Sequence, residues 1–268
     1  MEDDQTTDNI VDHRGAGSTT EVERMTEYKK RFDGRKMNEL RPVEAKVGVI
    51  ANADGSAYFK IGKTAAYAAV YGPRELHPKF LQNAERGRLR CHYNMMPFSG
   101  MGERVRPGPN RRAKEISMVT EKALVPAINL EDFPNTVVDV FIELPQTDAG
   151  SRCAGICAAS MALADAGIIM KDMVAAIAVG KVGNTLVVDL DYHEEQPGDD
   201  LEAVDIPVAM LPLTQDVTLL QMDGVVDKQD IVQCVDLAKE ACNTIKEIQQ
   251  EAIIQKYKDL QSEVNTNA

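Results

Sequence analysis

The sequence lacks the features that mark membrane and secreted proteins. Its 268 residues contain no run of about eighteen apolar side chains, which excludes a transmembrane helix. The amino terminus begins Met1-Glu2-Asp3-Asp4 and has neither the basic start nor the apolar stretch of a secretory signal. Five cysteines are an odd number, which argues against a framework of disulfides. These absences predict a cytoplasmic protein with free thiols and no membrane partner.

Apolar residues are scarce at the amino terminus, where acidic ones dominate. Residues 1–24 contain seven acidic side chains against Arg14 and Arg24, and the rest of the segment is rich in Thr, Ser and Gly. Such a segment buries too little apolar surface to fold, so we expect a disordered acidic tail. We expect one folded domain over residues 25–260 and a flexible end over 261–268.

Positive charge is in the minority overall but is concentrated in one segment. The formal net charge is −12, yet residues 71–115 contain ten cationic side chains against four carboxylates. A basic segment in an acidic protein is a candidate docking strip for phosphate groups, and the alternative is a solvated loop with scattered charges. The cationic residues are Arg74, Lys79, Arg86, Arg88, Arg90, Arg104, Arg106, Arg111, Arg112 and Lys114.

The periodicity of apolar residues predicts a mixed α+β fold. Residues 43–49 alternate between apolar and polar, and a turn at 52–55 leads to a second apolar run, which predicts a hairpin ended by Gly72-Pro73. Residues 151–166 are small or apolar on nearly every side, as in a buried helix. A last helix is expected from Asp227. Interleaved strands and helices are typical of the α+β class.

One short turn combines groups that can hold an anion. Gly150, Ser151 and Arg152 lie between a predicted strand and the first turn of the buried helix. The free N–H groups and the dipole of a helix amino terminus attract a phosphate, and the hydroxyl and guanidinium can add hydrogen bonds. The alternative is that Ser151 caps the helix and Arg152 pairs with an acid. The turn alone leaves both interpretations open.

Five segments follow one another along the chain: Arg31-Phe32-Asp33-Gly34-Arg35 with Arg41-Pro42; Gly72-Pro73-Arg74-Glu75-Leu76-His77-Pro78-Lys79; Pro107-Gly108-Pro109-Asn110-Arg111-Arg112; Gln146-Thr147-Asp148-Ala149-Gly150-Ser151-Arg152 with residues 162–168; and Glu202-Ala203-Val204-Asp205-Ile206-Pro207-Val208-Ala209-Met210. In this order they resemble the RNase PH-like phosphorolytic exoribonucleases. The resemblance covers the chain from about Tyr28 to Leu260 and is far more specific than any one segment.

The resemblance implies a fold and a set of partners. The fold would be RNase PH-like, with two βαβ-like halves of the ribosomal S5 domain 2-like type and a C-terminal helix. Within the family, the chain is most similar to the active subunits of the archaeal exosome. This similarity implies pairing with an inactive RNase PH-like sister subunit and three such heterodimers in a hexameric ring. A trimeric cap of RNA-binding proteins would cover one face, and single-stranded RNA, not DNA, would thread the channel.

The resemblance also implies phosphorolysis as the reaction. Inorganic phosphate would attack the last phosphodiester at the 3′ end of RNA and release a nucleoside diphosphate, and the reverse reaction would add 3′ tails. Gly150, Ser151 and Arg152 would hold the attacking phosphate. The RNA-binding residues would be Arg111 and Arg112 near the 3′ end and His77 and Lys79 at the channel neck. Charges on solvated surface loops remain the alternative for these four residues.

Two acids complete the implied site. Asp205 and an acid six residues earlier, which is Asp199, would protonate the leaving 3′ oxygen or hold Mg²⁺. Residues 193–198 make this segment longer than is usual in the family. Alignment that starts from the preceding segment, residues 189–192, therefore selects Glu195, whereas alignment that starts from Asp205 selects Asp199. We choose Asp199 for its spacing from Asp205, and Asp200 also stays open.

Two other functions fit parts of the pattern. A non-catalytic, RNA-binding scaffold subunit of the same ring would be expected to lack the acid pair or the arginines, and this chain has both. A bacterial-type RNase PH that trims tRNA as a homohexamer is disfavoured by the acidic amino-terminal tail and by the residues found in the loops. The sequence therefore favours the catalytic exosome subunit.

Overall fold

The computed structural model describes residues 28–102, 104–108, 110–197 and 201–267. The acidic segment 1–24, predicted to be disordered, lies outside these residues. In the part that is described, no helix is long and apolar enough to cross a membrane. All five cysteines are free and buried, which confirms the predicted absence of disulfides.

The first sheet has five strands in the order β1-β2-β3-β5-β4. Neighbouring strands are antiparallel except β4 and β5, which are parallel and are joined by helix α1 (Arg111–Leu124). Asn110 caps this helix by accepting a hydrogen bond from the Ala113 amide at 2.7 Å. The strands are β1 (Val43–Val47), β2 (Gly55–Ile61), β3 (Thr64–Glu75), β4 (Arg88–Met95) and β5 (Thr136–Gln146).

The prediction that Gly72-Pro73 ends a strand is wrong. Strand β3 continues to Glu75, and its pairing with β5 is irregular between Tyr71 and Arg74. Gly72 has a φ of 125°, and a Cβ there would lie 2.6 Å from the Val137 carbonyl oxygen. Glycine therefore lets the chain pass through a bulge where any side chain would clash, and the strand resumes beyond it.

The second sheet has four antiparallel strands in the order β7-β6-β8-β9. The short helix α3 (Tyr192–Glu195) connects β7 to β8, and the long helix α4 (Lys228–Asn267) follows β9. Helix α4 includes residues 261–267, where the sequence predicts a flexible end, because no Pro or Gly follows Gly224 to stop it. The strands are β6 (Ala175–Val182), β7 (Thr185–Val188), β8 (Ala203–Leu211) and β9 (Asp216–Leu220).

Helix α2 (Ser151–Asp165) lies between the two sheets and contacts both of them. Strand β2 approaches the end of this helix closely, because a Cβ on Gly55 of β2 would lie 2.2 Å from the backbone nitrogen of Ala166. The helix is buried on nearly every side, as its composition predicts. Two sheets around a buried helix confirm the α+β class, and this packing places the amino terminus of α2 where residues of both sheets meet.

A buried ion pair joins the segment before β1 to helix α3. Arg31 is 1% exposed, and its Nε and Nη2 donate to the two carboxylate oxygens of Glu194 at 2.8 and 2.6 Å. The Tyr28 hydroxyl donates to the same carboxylate at 2.8 Å. Burial alone would raise the pKa of Glu194, but these donors and the Asp191 amide lower the pKa below its usual value. Helix α3 is therefore held by an ionised, fully hydrogen-bonded carboxylate.

Replacing Arg31 with methionine should destabilise the protein strongly. The substitution leaves the Glu194 carboxylate buried without its charged partner, which costs about 3–5 kcal/mol in the free energy of unfolding. The double variant Arg31→Met/Glu194→Gln removes both charges, so we expect it to recover most of the loss. Urea unfolding of the three proteins measures both effects, and a double variant no more stable than Arg31→Met would contradict the role given to the pair.

Candidate active site

A cavity of about 580 Å³ opens at the amino terminus of helix α2. Both sheets and three helices contribute to its walls. One side is formed by the first turn of α2 and by α1, and the other side carries carboxylates from α3, β8 and the segment after β9. The charged and hydrogen-bonding residues that line this cavity include Gly150, Ser151, Arg152, Arg112, Glu195, Asp205 and Asp223.

The loop before α2 is held from both sides in an unusual backbone conformation. Ala149 and Gly150 both have a φ near the left-handed region, at 60° and 61°. Thr64 fastens the loop, since its hydroxyl donates to the Ala149 carbonyl at 2.7 Å and accepts from the Asp148 amide at 2.8 Å. Arg41 also donates to the Asp148 carbonyl. The loop is therefore preorganised, and its strained conformation is stabilised by buried partners.

The interpretation of Ser151 as a helix cap is wrong. Gly150 occupies the N-cap position, no side chain caps the helix, and Ser151 is already its first residue. The first hydrogen bond within the helix runs from the Ala154 amide to the Gly150 carbonyl at 3.1 Å, so the preceding amides are those left open at a helix amino terminus. Among the residues that the structure describes, Arg152 forms no salt bridge with an acid, and it donates to the Gln221 side-chain carbonyl at 2.6 Å. These donors line the cavity together.

Glu195 lines the same cavity and contacts the amino-terminal turn of α2. Asp191 starts helix α3 with a reciprocal capping box that involves Glu194. Arg31 fixes Glu194, so the side chain of the next residue, Glu195, points away from Arg31. The Glu195 carboxylate accepts a hydrogen bond from the Gly150 amide at 3.3 Å. Burial raises the pKa of Glu195, although this amide and the nearby arginines oppose the shift. The structure thus brings an acid directly to the amino terminus of α2.

Asp205 is the second acid of the cavity and is poorly solvated. It lies on β8, where its backbone pairs with that of Asp223. Burial is the largest cause that raises the pKa of Asp205 to about 7, and the charge of Glu195 raises it further. Its Oδ1 atom is buried without a hydrogen-bond partner in the described structure. A half-buried acid with a buried, unpaired oxygen is typical of a group that acts on a ligand.

Asp199 and Asp200 lie outside the described residues. The choice of Asp199 as the partner of Asp205 therefore stays a prediction. The acid that the structure places beside Asp205 is Glu195, which the sequence offered only as an alternative. The local pattern from Asp191 to Glu194 signals a capping box, and this signal places Glu195 at the end of an ordered turn.

The predicted RNA-binding residues lie in two places. Arg112, on the first turn of α1, lines the cavity, whereas Arg111 is exposed beside it and does not line the part of the cavity that the structure describes. His77 and Lys79 lie just after the end of β3 at Glu75, outside the residues that line the cavity, and are 67% and 77% exposed. Both lie within 4 Å of the Glu75 carboxylate, at 3.7 and 3.8 Å. Of the four residues, the structure brings Arg112 to the acids.

The carboxylates offer a partial set of ligands for a cation. Among the described residues, no group of three or more His, Cys, Asp or Glu side chains is spaced to hold a metal. Mg²⁺, however, takes one or two carboxylates and completes its shell with water and substrate phosphates. Glu195 and the unpaired oxygen of Asp205 fit this requirement. The residues present are therefore compatible with Mg²⁺ bound together with a phosphate ligand.

Sequence comparisons match most of the chain to one family. Models of the 3′ exoribonuclease family match residues 39–169 (RNase PH, domain 1) and residues 172–241 (domain 2). The chain is 53% identical to exosome complex component Rrp41 of Thermococcus kodakarensis over 89% of this chain and 94% of the relative. It is 50% identical to the protein of the same name from Methanopyrus kandleri over 85% and 93%.

Solved structures share the fold. Rice Rrp46 matches 82% of this chain and 98% of its own with a TM-score of 0.73 and 25% identity. A chain of the Archaeoglobus fulgidus exosome, solved with RNA bound to the active site, matches 85% of this chain and 98% of its own with a TM-score of 0.69 and 23% identity. These likenesses confirm the RNase PH-like fold expected from the sequence. The chain belongs to the RNase PH family of 3′ exoribonucleases.

Proposed function

We propose that the protein is the catalytic subunit of an exosome ring and degrades RNA from its 3′ end by phosphorolysis. The observation that carries the proposal is one cavity that is lined by a helix amino terminus, two arginines and a pair of half-buried acids. Family membership establishes the class of enzyme, and the similar archaeal proteins are named exosome components. The cavity supports phosphate as the nucleophile because the first turn of α2 and Arg152 can bind an anion there.

The attacking phosphate would bind at the first turn of α2. The open amides of this turn, the Ser151 hydroxyl and the Arg152 guanidinium converge on the cavity. The helix dipole favours an anion at this end, and the rigid fork of arginine matches phosphate oxygens. Phosphoryl transfer needs positioning and charge stabilisation more than covalent help. A preorganised turn next to Gly150 supplies both.

Asp205 would protonate the leaving group. In the forward reaction a phosphate oxygen bonds to the phosphorus of the last phosphodiester, and the bond from that phosphorus to the 3′ oxygen breaks. The 3′ oxygen then takes a proton. With a pKa raised to about 7, Asp205 is partly protonated at neutral pH and can donate it. In the reverse reaction, which adds nucleotides to RNA, the same carboxylate takes the proton back.

We assign the second acidic position to Glu195. Its carboxylate accepts from the Gly150 amide, and its charge raises the pKa of Asp205. As the alternative to proton donation by Asp205, Glu195 and Asp205 would hold the Mg²⁺ that the sequence predicts, and the cation would neutralise negative charge on the phosphates. The positive charges that act on Glu195 come from Arg112, Arg41 and Arg152, and Arg152 also acts on Asp205. Asp199 remains the alternative partner of Asp205.

The arginines of α1 would bind the RNA end. Arg112 faces the cavity and can hold the phosphate next to the broken bond, where a guanidinium fork binds better than an ammonium. Arg111, exposed on the same turn, would contact the strand outside. His77 and Lys79 would contact the RNA before it reaches the cavity, and their exposure is compatible with that role.

The proposed setting is a ring in the cytoplasm. Three pairs of this chain with an inactive RNase PH-like sister subunit would form the ring, and a trimeric RNA-binding cap would cover one face. Single-stranded RNA is the proposed substrate. Similarity to exosome components over most of the chain supports this organisation.

RNA degradation by the assembled complex should require inorganic phosphate and Asp205. We expect nucleoside diphosphates as products, and Asp205→Asn should lower kcat by about 10²–10⁴-fold because it cannot donate the proton. RNA affinity and assembly should not change. Product chromatography and filter binding measure these effects. A variant with wild-type activity would instead favour the scaffold function.

The pH dependence of kcat should depend on Glu195. Asp205 must be protonated to donate, so kcat should fall as the pH rises through about 7. Inorganic phosphate also titrates near neutrality, and Glu195→Gln separates the two effects. This variant removes a like charge and lowers the pKa of Asp205, so the fall in its residual activity should shift to lower pH. Equal midpoints in both proteins would contradict the coupling.

The chain alone should not form a fully active ring. In the proposed complex each copy contacts the sister subunit, so the isolated chain lacks half of the ring. Native mass spectrometry of the chain, with and without the sister subunit, measures the assemblies, and an activity assay accompanies each sample. A fully active homohexamer would instead support the tRNA-trimming alternative.

A further inference from the structure

Gln221 links the phosphate side of the cavity to helix α1. It follows strand β9 directly, and its side-chain carbonyl accepts from Arg152 Nη1 at 2.6 Å. Its amide nitrogen donates to the Glu115 carboxylate on α1 at 3.1 Å. The backbone amide of Gln221 donates to the Pro207 carbonyl at 3.1 Å, which fastens this residue to β8, the strand that carries Asp205.

The two partners of Gln221 determine which way its amide points. A guanidinium only donates hydrogen bonds, and a carboxylate only accepts them. The carbonyl must therefore face Arg152, and the amide nitrogen must face Glu115. The reverse orientation would oppose donor to donor and acceptor to acceptor. Gln221 is thus held in a single orientation by two charged groups, each of which strengthens its hydrogen bond.

Arg152 needs such a partner because acids surround it. Its charge lowers the pKa values of both Asp205 and Glu195, which line the same cavity. A guanidinium without a fixed partner would turn toward these carboxylates and form an ion pair. The pair would take its positive charge away from an incoming phosphate. A neutral acceptor can hold the guanidinium in place and leave that charge available.

We propose that Gln221 is a positioning residue that keeps Arg152 directed at inorganic phosphate, with Glu115 fixing the orientation of its amide. The proposal rests on the proposed function, since it takes Arg152 as the phosphate ligand. Gln221 does not line the part of the cavity that the structure describes, so it would act on phosphate through Arg152. We expect the affinity for phosphate to change more than the affinity for RNA, because Arg112, the proposed RNA ligand, has no hydrogen bond to Gln221 among the described residues.

Two variants of Gln221 in the assembled complex test the proposal. Gln221→Met keeps the length of the side chain but removes both hydrogen bonds, and we expect the KM for phosphate to rise about tenfold, which is the usual effect of losing a hydrogen bond to a charged group. Gln221→Glu keeps an acceptor for Arg152, but the new carboxylate neutralises the charge of the Arg152 guanidinium. The KM for phosphate should therefore rise in this variant as well. The KM for RNA should stay unchanged in both variants.

The matched control is Gln255→Met on the exposed face of α4, where the glutamine bonds only to Asp259 among the described residues. It should leave both KM values unchanged. An unchanged KM for phosphate in Gln221→Met, or equal rises in the two KM values, would overturn the proposal. Wild-type affinity for phosphate in Gln221→Glu would overturn the requirement for a neutral acceptor.

Equilibrium binding of inorganic phosphate without RNA separates this proposal from the proposed function. Weaker binding in Gln221→Met supports the positioning role whether or not the complex turns over. A wild-type complex that binds phosphate but releases no nucleoside diphosphate would overturn phosphorolysis alone. Equal affinities in the wild type and Gln221→Met would overturn the positioning role alone.

Discussion

The buried ion pair between Arg41 and Asp189 fixes both sides of the cavity. Asp189 is 1% exposed with a φ of 57°, and its Oδ1 accepts from Arg41 Nη2 at 2.7 Å. The same guanidinium donates to the Asp148 carbonyl in the loop before α2. The chain after Asp189 leads to Glu195. One guanidinium therefore ties the turn that is proposed to bind phosphate to the segment that leads to Glu195, and we expect its removal to loosen both.

The carboxylates and the arginines of the cavity offset one another's charge. The acids are kept close together by the fold, so burial and mutual repulsion raise the pKa of Asp205 to about 7. The arginines offset the remaining negative charge and leave room for an anion. A phosphate can enter such a site without an excess of repulsion. The same balance explains why a neutral glutamine, and not a carboxylate, is suited to hold Arg152.

Much of the fold follows from local patterns, whereas the details of the site do not. The small residues of α2 predict a buried helix, and the turn at Gly150 predicts its start. By contrast, the residue at which β3 ends and the position of the second acid, Glu195, depend on tertiary contacts. Glu195 is positioned through Glu194 and Arg31, which are 163 residues apart. Gln221 carries no charge or motif, and its partners lie 69 and 106 residues away, so spacing along the chain cannot identify it.

The fate of the attacking phosphate tests phosphorolysis most directly. The assembled complex would degrade RNA in radiolabelled inorganic phosphate, and the released nucleotides would be separated. We expect the label in the terminal phosphate of nucleoside diphosphates, because the phosphate held at Ser151 and Arg152 becomes part of the product. Unlabelled nucleoside monophosphates, with all of the label left in free phosphate, would contradict phosphorolysis and indicate water as the nucleophile.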